Sequence, residues 1–220
     1  MFSFFGFSNQ LIRFNFMAKQ GKASILNPQQ HQEFLAYLAT SRQPAQNKAI
    51  YLLGYRAGMR IGSIAGLRLN DVLDASGNLR EVVELRRDIV KGRRNYAAYL
   101  SHPELREALA DYLAERPETE VDALFVSQKN TAFSANSLAQ KMFKLFREAG
   151  FDGASSHSMR RSFATNCIRA GVDIVSLKTL MNHSNIQQTS EYVATNDEML
   201  KKAVCLKQSA ATNSFLDEWI

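Results

Sequence analysis

In HSMRRSFATN, residues 157–166, a histidine and an arginine stand three apart at what reads as the start of a helix. Three residues is nearly one turn, so His157 and Arg160 can address a common point. A helix start also directs unpaired N–H groups outward and favours anions, so an imidazole and a guanidinium there suggest a phosphate. Arg161, next in the chain, adds a further basic group. Four residues elsewhere could join such chemistry. Arg60 lies inside the apolar stretch AGMRIGSIAGLRL, where a stranded charge is costly unless it is paired or bound. Lys91 opens KGRR between two predicted strands, with Arg86, Arg93 and Arg94 as basic neighbours. A lysine on such a tip can reach across a groove and donate a proton to a leaving oxygen. His183 and Tyr192 stand nine apart in MNHSNIQQTSEYVA. Taken singly, each residue has an ordinary structural reading: a solvated helix end, an ion pair, a solvated lysine, a capping histidine, a core tyrosine.

Positioning these residues falls to a mainly helical chain. Asn27-Pro28 reads as an N-cap followed by proline at the first helical position, and Phe34, Leu35 and Leu38 continue as a helical stripe. A second helix is expected over 45–57, ending at Gly58, and a further turn or two over 61–67. From 68 to 100 the pattern changes. LRLNDVL, EVVELRRDIV and NYAAYLS read as three short strands, separated by the turn-rich DASGN and the basic KGRR. Helices resume over 103–115, 134–149, 157–170 and 173–181, with a short element before Tyr192 and a last helix over 197–206. The expected class is α+β, mainly helical, with a small three-stranded antiparallel sheet.

Composition narrows the partners. Of 220 residues, 45% are hydrophobic and 22% charged, as in a soluble globular protein. A net charge of +6 and a pI near 9.4 argue for a polyanionic partner, nucleic acid before others. The two cysteines, Cys167 and Cys205, and the four scattered histidines argue against a zinc module and a disulfide-built fold. No run approaches the ~18 apolar residues of a membrane span. The opening MFSFFGFSNQLIRFNFMAKQ is rich in phenylalanine but lacks the pattern of a signal peptide.

Arg60, Lys91, His157-x-x-Arg160, His183 and Tyr192, in that order, resemble the tyrosine recombinase (phage integrase) family. AGMRIGSIAGLRLNDV, VKGRRN and HSMRRSFATNCIRAGVDIVSLKTLMNHSNIQQTSEYV carry the resemblance, and the last is the most diagnostic. It implies a catalytic domain that cleaves and rejoins double-stranded DNA through a 3′-phosphotyrosyl intermediate. Tyr192 would attack the scissile phosphate, Arg60 and Arg160 would hold its oxygens, and His183 would hydrogen-bond one of them. His157 would assist proton movement at the nucleophile, and Lys91 would protonate the departing 5′-oxygen. Arg86, Arg93, Arg94 and Arg161 would contact the DNA. The residue types suit that task. A phenol ionises near pH ~10 unless positive charge lies close by, and arginine forks neutralise phosphate oxygens bidentately. Two arginines supply what a metal pair supplies in many nucleases, so neither metal nor cofactor is expected.

The chain departs from the family's pattern in three places. Ser63 stands where an acidic residue usually follows the first arginine, which implies that Ser63→Glu would raise cleavage; Asp71 is a candidate substitute. Asn182 replaces the glycine that usually precedes the histidine. Residues 1–24 are too few for the N-terminal domain common in full-length relatives. The expected organisation is a peripheral segment over 1–24, a catalytic domain over 25–206 and a tail over 207–220 exchanged between protomers. Such an organisation resembles the short recombinases of the fimbrial phase-switch type, or an isolated catalytic domain. A cytoplasmic, nucleoid-associated enzyme is implied, acting as a homotetramer on synapsed DNA, with room for an accessory DNA-binding protein. A type IB topoisomerase and a non-catalytic DNA-binding regulator are the alternatives.

Overall fold

The computed structural model describes residues 23–92 and 96–192. The phenylalanine-rich opening, Arg93, Arg94, the expected helix over 197–206 and the tail over 207–220 lie outside the described residues. Two helices that pack on each other open the fold. In α1 (Pro28–Thr40), the Asn27 side chain accepts the Gln30 N–H and the Gln30 side chain accepts the Asn27 N–H, closing a capping box. Helix α2 (Pro44–Tyr55) is buried along almost its whole length, and α1, α5 and α7 pack around it. It is the hub of the core.

Short helices α3 (Ile61–Ala65) and α4 (Leu69–Val72) lead into strands β1 (Val82–Leu85) and β2 (Tyr96–Tyr99). The strands pair antiparallel, with Val83 opposite Ala98 and Leu85 opposite Tyr96. The sheet has two strands among the described residues, not the three expected. LRLNDVL forms α4 instead of a strand, because the Asp71 carboxylate accepts the Arg68 N–H at 2.8 Å and closes a helical turn. This side-chain bond offers the backbone an alternative to ladder pairing. What remains of sheet pairing there is two isolated bridges, Arg68 with Ala123 and Leu73 with Leu79. The longer EVVELRRDIV run likewise ends as a strand at Leu85, after which Arg86 turns back toward α3 and α4.

Helices α5 (Pro103–Glu115), α6 (Ala135–Glu148), α7 (Ser156–Arg169), α8 (Ile174–Leu180) and α9 (Gln187–Ser190) complete the described fold. No helix among these residues is long and apolar enough to cross a membrane. Aromatic stacking ties α1 to α6 through Phe34 and Phe146, with centroids 4.1 Å apart. His31 is buried between α1, α2 and α5. Its Nδ1 meets Tyr51 Oη at 2.8 Å, and its Nε2 faces Arg56 at 3.2 Å and Glu104 at 3.4 Å. Burial, outweighing Glu104, lowers this imidazole to about 4, so it is neutral in the fold at pH 7.

The link between α2 and α3 positions the first candidate arginine. Gly58 has φ of 64°, a left-handed conformation, and a Cβ there would sit 2.5 Å from Phe163 Cδ1 on α7. Its carbonyl accepts the Arg160 guanidinium. Gly58→Ala therefore meets both backbone strain and a ring that must move. We expect it to destabilise the fold by about 2 kcal/mol or more, read from the midpoint of urea unfolding.

Candidate active site

Three carbonyls at the end of α8 organise the site. The Asn182 N–H donates to Thr179 O at 2.9 Å and the His183 N–H to Lys178 O at 3.0 Å, with Asn182 left-handed at φ 43°. This is a Schellman ending, with Asn182 at the position that usually takes glycine. It leaves the Leu180, Met181 and Asn182 carbonyls for other donors, since the last turn of a helix has no intrahelical partners for them. Tyr96 Oη donates to Leu180 O at 2.8 Å. One arm of Arg160 donates to Met181 O. Arg60 donates to Asn182 O at 3.3 Å. One helix end thus gathers a tyrosine from β2, an arginine from α7 and the arginine that precedes α3.

The charge balance of this cluster is unusual. No carboxylate forms an ion pair with Arg60 or Arg160 among the described residues. Arg160 is only 5% exposed. Burial and then the neighbouring Arg60 lower its guanidinium to about 10, so it remains charged at neutral pH. Burial also lowers Arg60, with the Tyr96 and Tyr192 phenols acting the other way. Tyr96 is raised by its own burial, against the pull of the two arginines. Two like charges are therefore held together by carbonyl dipoles, with a net positive field facing the site. Such a place favours an anion.

The same turn sets His183 and Tyr192. His183 is buried; its Nδ1 pairs with Thr189 Oγ1 at 2.9 Å, leaving Nε2 for another partner. Burial first, then Arg160 and Arg60, lower it to about 4, so it is neutral at pH 7. Helix α9 carries the buried Thr189, and the Tyr192 N–H donates to Thr189 O at 3.0 Å. The Tyr192 ring lies nearly parallel to the His183 ring, with centroids 6.1 Å apart. A cavity of about 220 Å³ beside this turn is lined by Tyr96, Lys178, Asn182 and His183 among others.

The structure brings together Arg60, Arg160, His183 and Tyr192. It divides the His157–Arg160 pair: Arg160 turns inward, while His157, second residue of α7, is exposed beyond the Ser155 cap. Lys91 is exposed in the turn after β1. Arg161 donates to Ala23 O, lacing the segment before α1 onto α7. Arg86 binds Asp71, Asp88 and the Gly66 carbonyl. Asp71 thus engages Arg86 and takes no part in holding the site arginines. Sequence reasoning missed Tyr96 and Thr189. Neither carried a signal, since a strand tyrosine and a helix threonine acquire their roles only when α8 packs against β2 and α9.

The phage integrase family pattern matches residues 24–199, four-fifths of the chain, and the chain belongs to that family. It is 30% identical over 162 residues to the tyrosine recombinase XerC of Caldanaerobacter subterraneus, covering 71% of this chain and 43% of that protein. XerC of Shewanella amazonensis is 31% identical over 160 residues, covering 71% of this chain and 51% of the relative. The chain thus spans about half the length of these curated relatives. In fold it is similar to the crystal structure of XerA recombinase, with a TM-score of 0.69 at 24% identity over 85% of this chain and 66% of that one. XerH site-specific recombinase bound to its difH substrate matches with a TM-score of 0.64 at 21% identity, over 84% of this chain and 54% of that one.

The α8 ending and the two buried histidines each set a stability prediction. The Asn182 side-chain Nδ2 is buried without a partner among the described residues. Asn182→Gly removes both that donor and the left-handed strain, and should stabilise the fold by about 1–2 kcal/mol in urea unfolding. The histidines give the second. His31 and His183 each bind a proton more readily unfolded, near the ordinary 6.5, than folded, at about 4. Stability should therefore fall as pH drops from about 6.5 toward 4, by up to about 3 kcal/mol per histidine. His183→Gln should flatten the slope in a pH series of unfolding curves.

Proposed function

We propose that this chain is a site-specific DNA recombinase that breaks and rejoins double-stranded DNA through Tyr192. The observation that carries this reading is the pair of guanidiniums, held by carbonyls with no carboxylate paired to them among the described residues, with a neutral histidine and a tyrosine on the same turn. A positive site of that kind suits a phosphodiester, whose non-bridging oxygens Arg60 and Arg160 would take. The XerC likeness, in sequence and length of match, favours recombination over topoisomerase-like relaxation or a purely regulatory role.

In the proposed reaction, Tyr192 Oη forms a bond to phosphorus as the bond to the 5′-oxygen breaks. His157 and Lys91 are exposed outside the cluster, and it is the family resemblance that assigns them the proton steps: the phenolic proton leaves by way of His157, and Lys91 gives a proton to the departing oxygen. Arg60, Arg160 and His183 Nε2 stabilise charge on the non-bridging oxygens where it grows in the transition state. Attack by a 5′-hydroxyl of another strand on the phosphotyrosine reverses these steps and needs no external energy source, because the covalent link conserves the bond. Double-stranded DNA is the proposed partner, and a homotetramer on paired sites the proposed working assembly. Residues 25–206 are the proposed catalytic domain, acting in the cytoplasm at the nucleoid.

The reading is tested with nicked DNA fragments from the source genome, which trap the cleaved state. A denaturing gel should show a covalent adduct that Tyr192→Phe abolishes. Arg160→Ala should slow adduct formation by about 10²–10³, and His157→Ala by about 10²–10⁴. An adduct that survives Tyr192→Phe overturns the assignment of the nucleophile.

A further inference from the structure

The segment that leads to Lys91 is fastened to the segment that follows Arg60 at several points. Ser63, one turn into α3, is 4% exposed and donates its hydroxyl to the Ile89 carbonyl at 2.8 Å. Three residues on, Gly66 lies so close to Ile89 that a Cβ there would meet Ile89 Cβ at 3.0 Å and press into its Cγ2. The Gly66 carbonyl accepts Arg86 Nη2 at 2.6 Å. Arg86 Nε faces both Asp71 oxygens, at 3.2 and 3.3 Å, and its Nη1 bonds Asp88 at 2.9 Å. Asp71 is fixed in turn by the Arg68 N–H, and its side chain is only 10% exposed. Val90 is buried. Lys91, the next residue, is exposed.

We propose that Ser63, Gly66 and Arg86 form a clamp that holds the Lys91 turn at a fixed place relative to Arg60. These are positioning residues: they act on the reaction through Lys91 and touch no reacting atom. The inference rests on the recombinase reading, in which Arg60 holds the phosphate and Lys91 protonates the leaving oxygen. Ser63 stands three residues after Arg60, and Ile89 two before Lys91, so the clamp joins the two groups by a short path. General acid catalysis demands such a path, because a proton donor acts only within hydrogen-bond reach of its oxygen. A displacement of about 1 Å can cost 10²-fold.

The clamp also explains Ser63 itself. The group opposite the serine is a carbonyl oxygen, so a hydroxyl donor fits and a carboxylate does not. Ser63→Glu would set an anion against an acceptor in a buried place. The gain expected from restoring the family's acidic residue is thereby reversed: cleavage should fall. Arg86, expected to contact DNA, has each of its three nitrogens engaged within the protein.

A DNA site recovered by adduct capture provides the test. It is prepared with oxygen or with sulfur at the bridging 5′ position of the scissile phosphate. A thiolate leaves without a proton, so the sulfur substrate does not need the general acid. On the oxygen substrate, Ser63→Ala and Arg86→Met should slow cleavage about 10- to 100-fold, and Ser63→Thr should restore most of the rate. On the sulfur substrate both losses should nearly vanish, as for Lys91→Ala, whereas Arg160→Ala should stay slow on both. Equal losses on the two substrates, or no loss on either, overturn the positioning role. Hydrogen exchange of residues 86–92 provides a readout independent of activity and should speed up in both variants. Unchanged exchange overturns the clamp. Faster exchange, in a wild-type chain that forms no adduct with any DNA, overturns the recombinase reading and with it the catalytic purpose of the clamp.

Discussion

Two guanidiniums held side by side, with no carboxylate paired to them among the described residues, impose the main constraint on this fold. Like charges in a partly buried place repel, and desolvation adds to the cost. The chain meets that cost with oriented dipoles. Carbonyls of Gly58, Met181 and Asn182 accept the arginine donors, and the last two belong to the end of α8, where the helix presents its negative pole. Carbonyls hold the side chains in place but leave their formal charge uncancelled. A carboxylate beside the arginines would cancel more of that charge and leave less field for an anion.

That arrangement determines much of the architecture around it. Gly58 must be left-handed and bare so that its carbonyl meets Arg160 while Phe163 packs above it. Helix α8 must stop after one full set of turns and reverse through Asn182, so that its terminal carbonyls open toward Arg160, Arg60 and Tyr96. The same reversal brings His183 beside the arginines, whose positive field helps burial to keep it neutral. A neutral imidazole can face the phosphate without adding a third like charge. Helix α9 then supplies Thr189 to orient that imidazole and delivers Tyr192 one turn later. Stability is surrendered at the site and recovered in the aromatic core around α2.

The helical part of the fold was legible because its signals are local. Asn27-Pro28, Ser155 and Asp173 each cap a helix where the sequence places one, and apolar periodicity marks the spans between. The order of Arg60, His157, Arg160, His183 and Tyr192 was legible from the motif they share with the family. What the sequence concealed depends on distant contacts. LRLNDVL alternates like a strand, yet Asp71 closes it into a helical turn. Arg86 sits in a basic run that reads as a DNA contact, and only the folded approach of Gly66 and Asp71 gives it an internal place. Tyr96 and Thr189 acquire meaning once α8 lies against β2 and α9, a meeting no local pattern announces. Ser63 looked like a lost carboxylate until the Ile89 carbonyl appeared opposite it.

The central claim is that Arg60 and Arg160 form a pre-built phosphate site. Its most direct test is a titration of the wild-type chain with inorganic phosphate at constant ionic strength, followed by nitrogen-15 NMR of the arginine Nε–H groups. The account expects the Arg60 and Arg160 resonances to move together along one saturating curve, while surface arginines stay nearly still. Small, linear shifts spread evenly over all arginines would show only general screening, and would contradict the claim that these two charges are held for a phosphate.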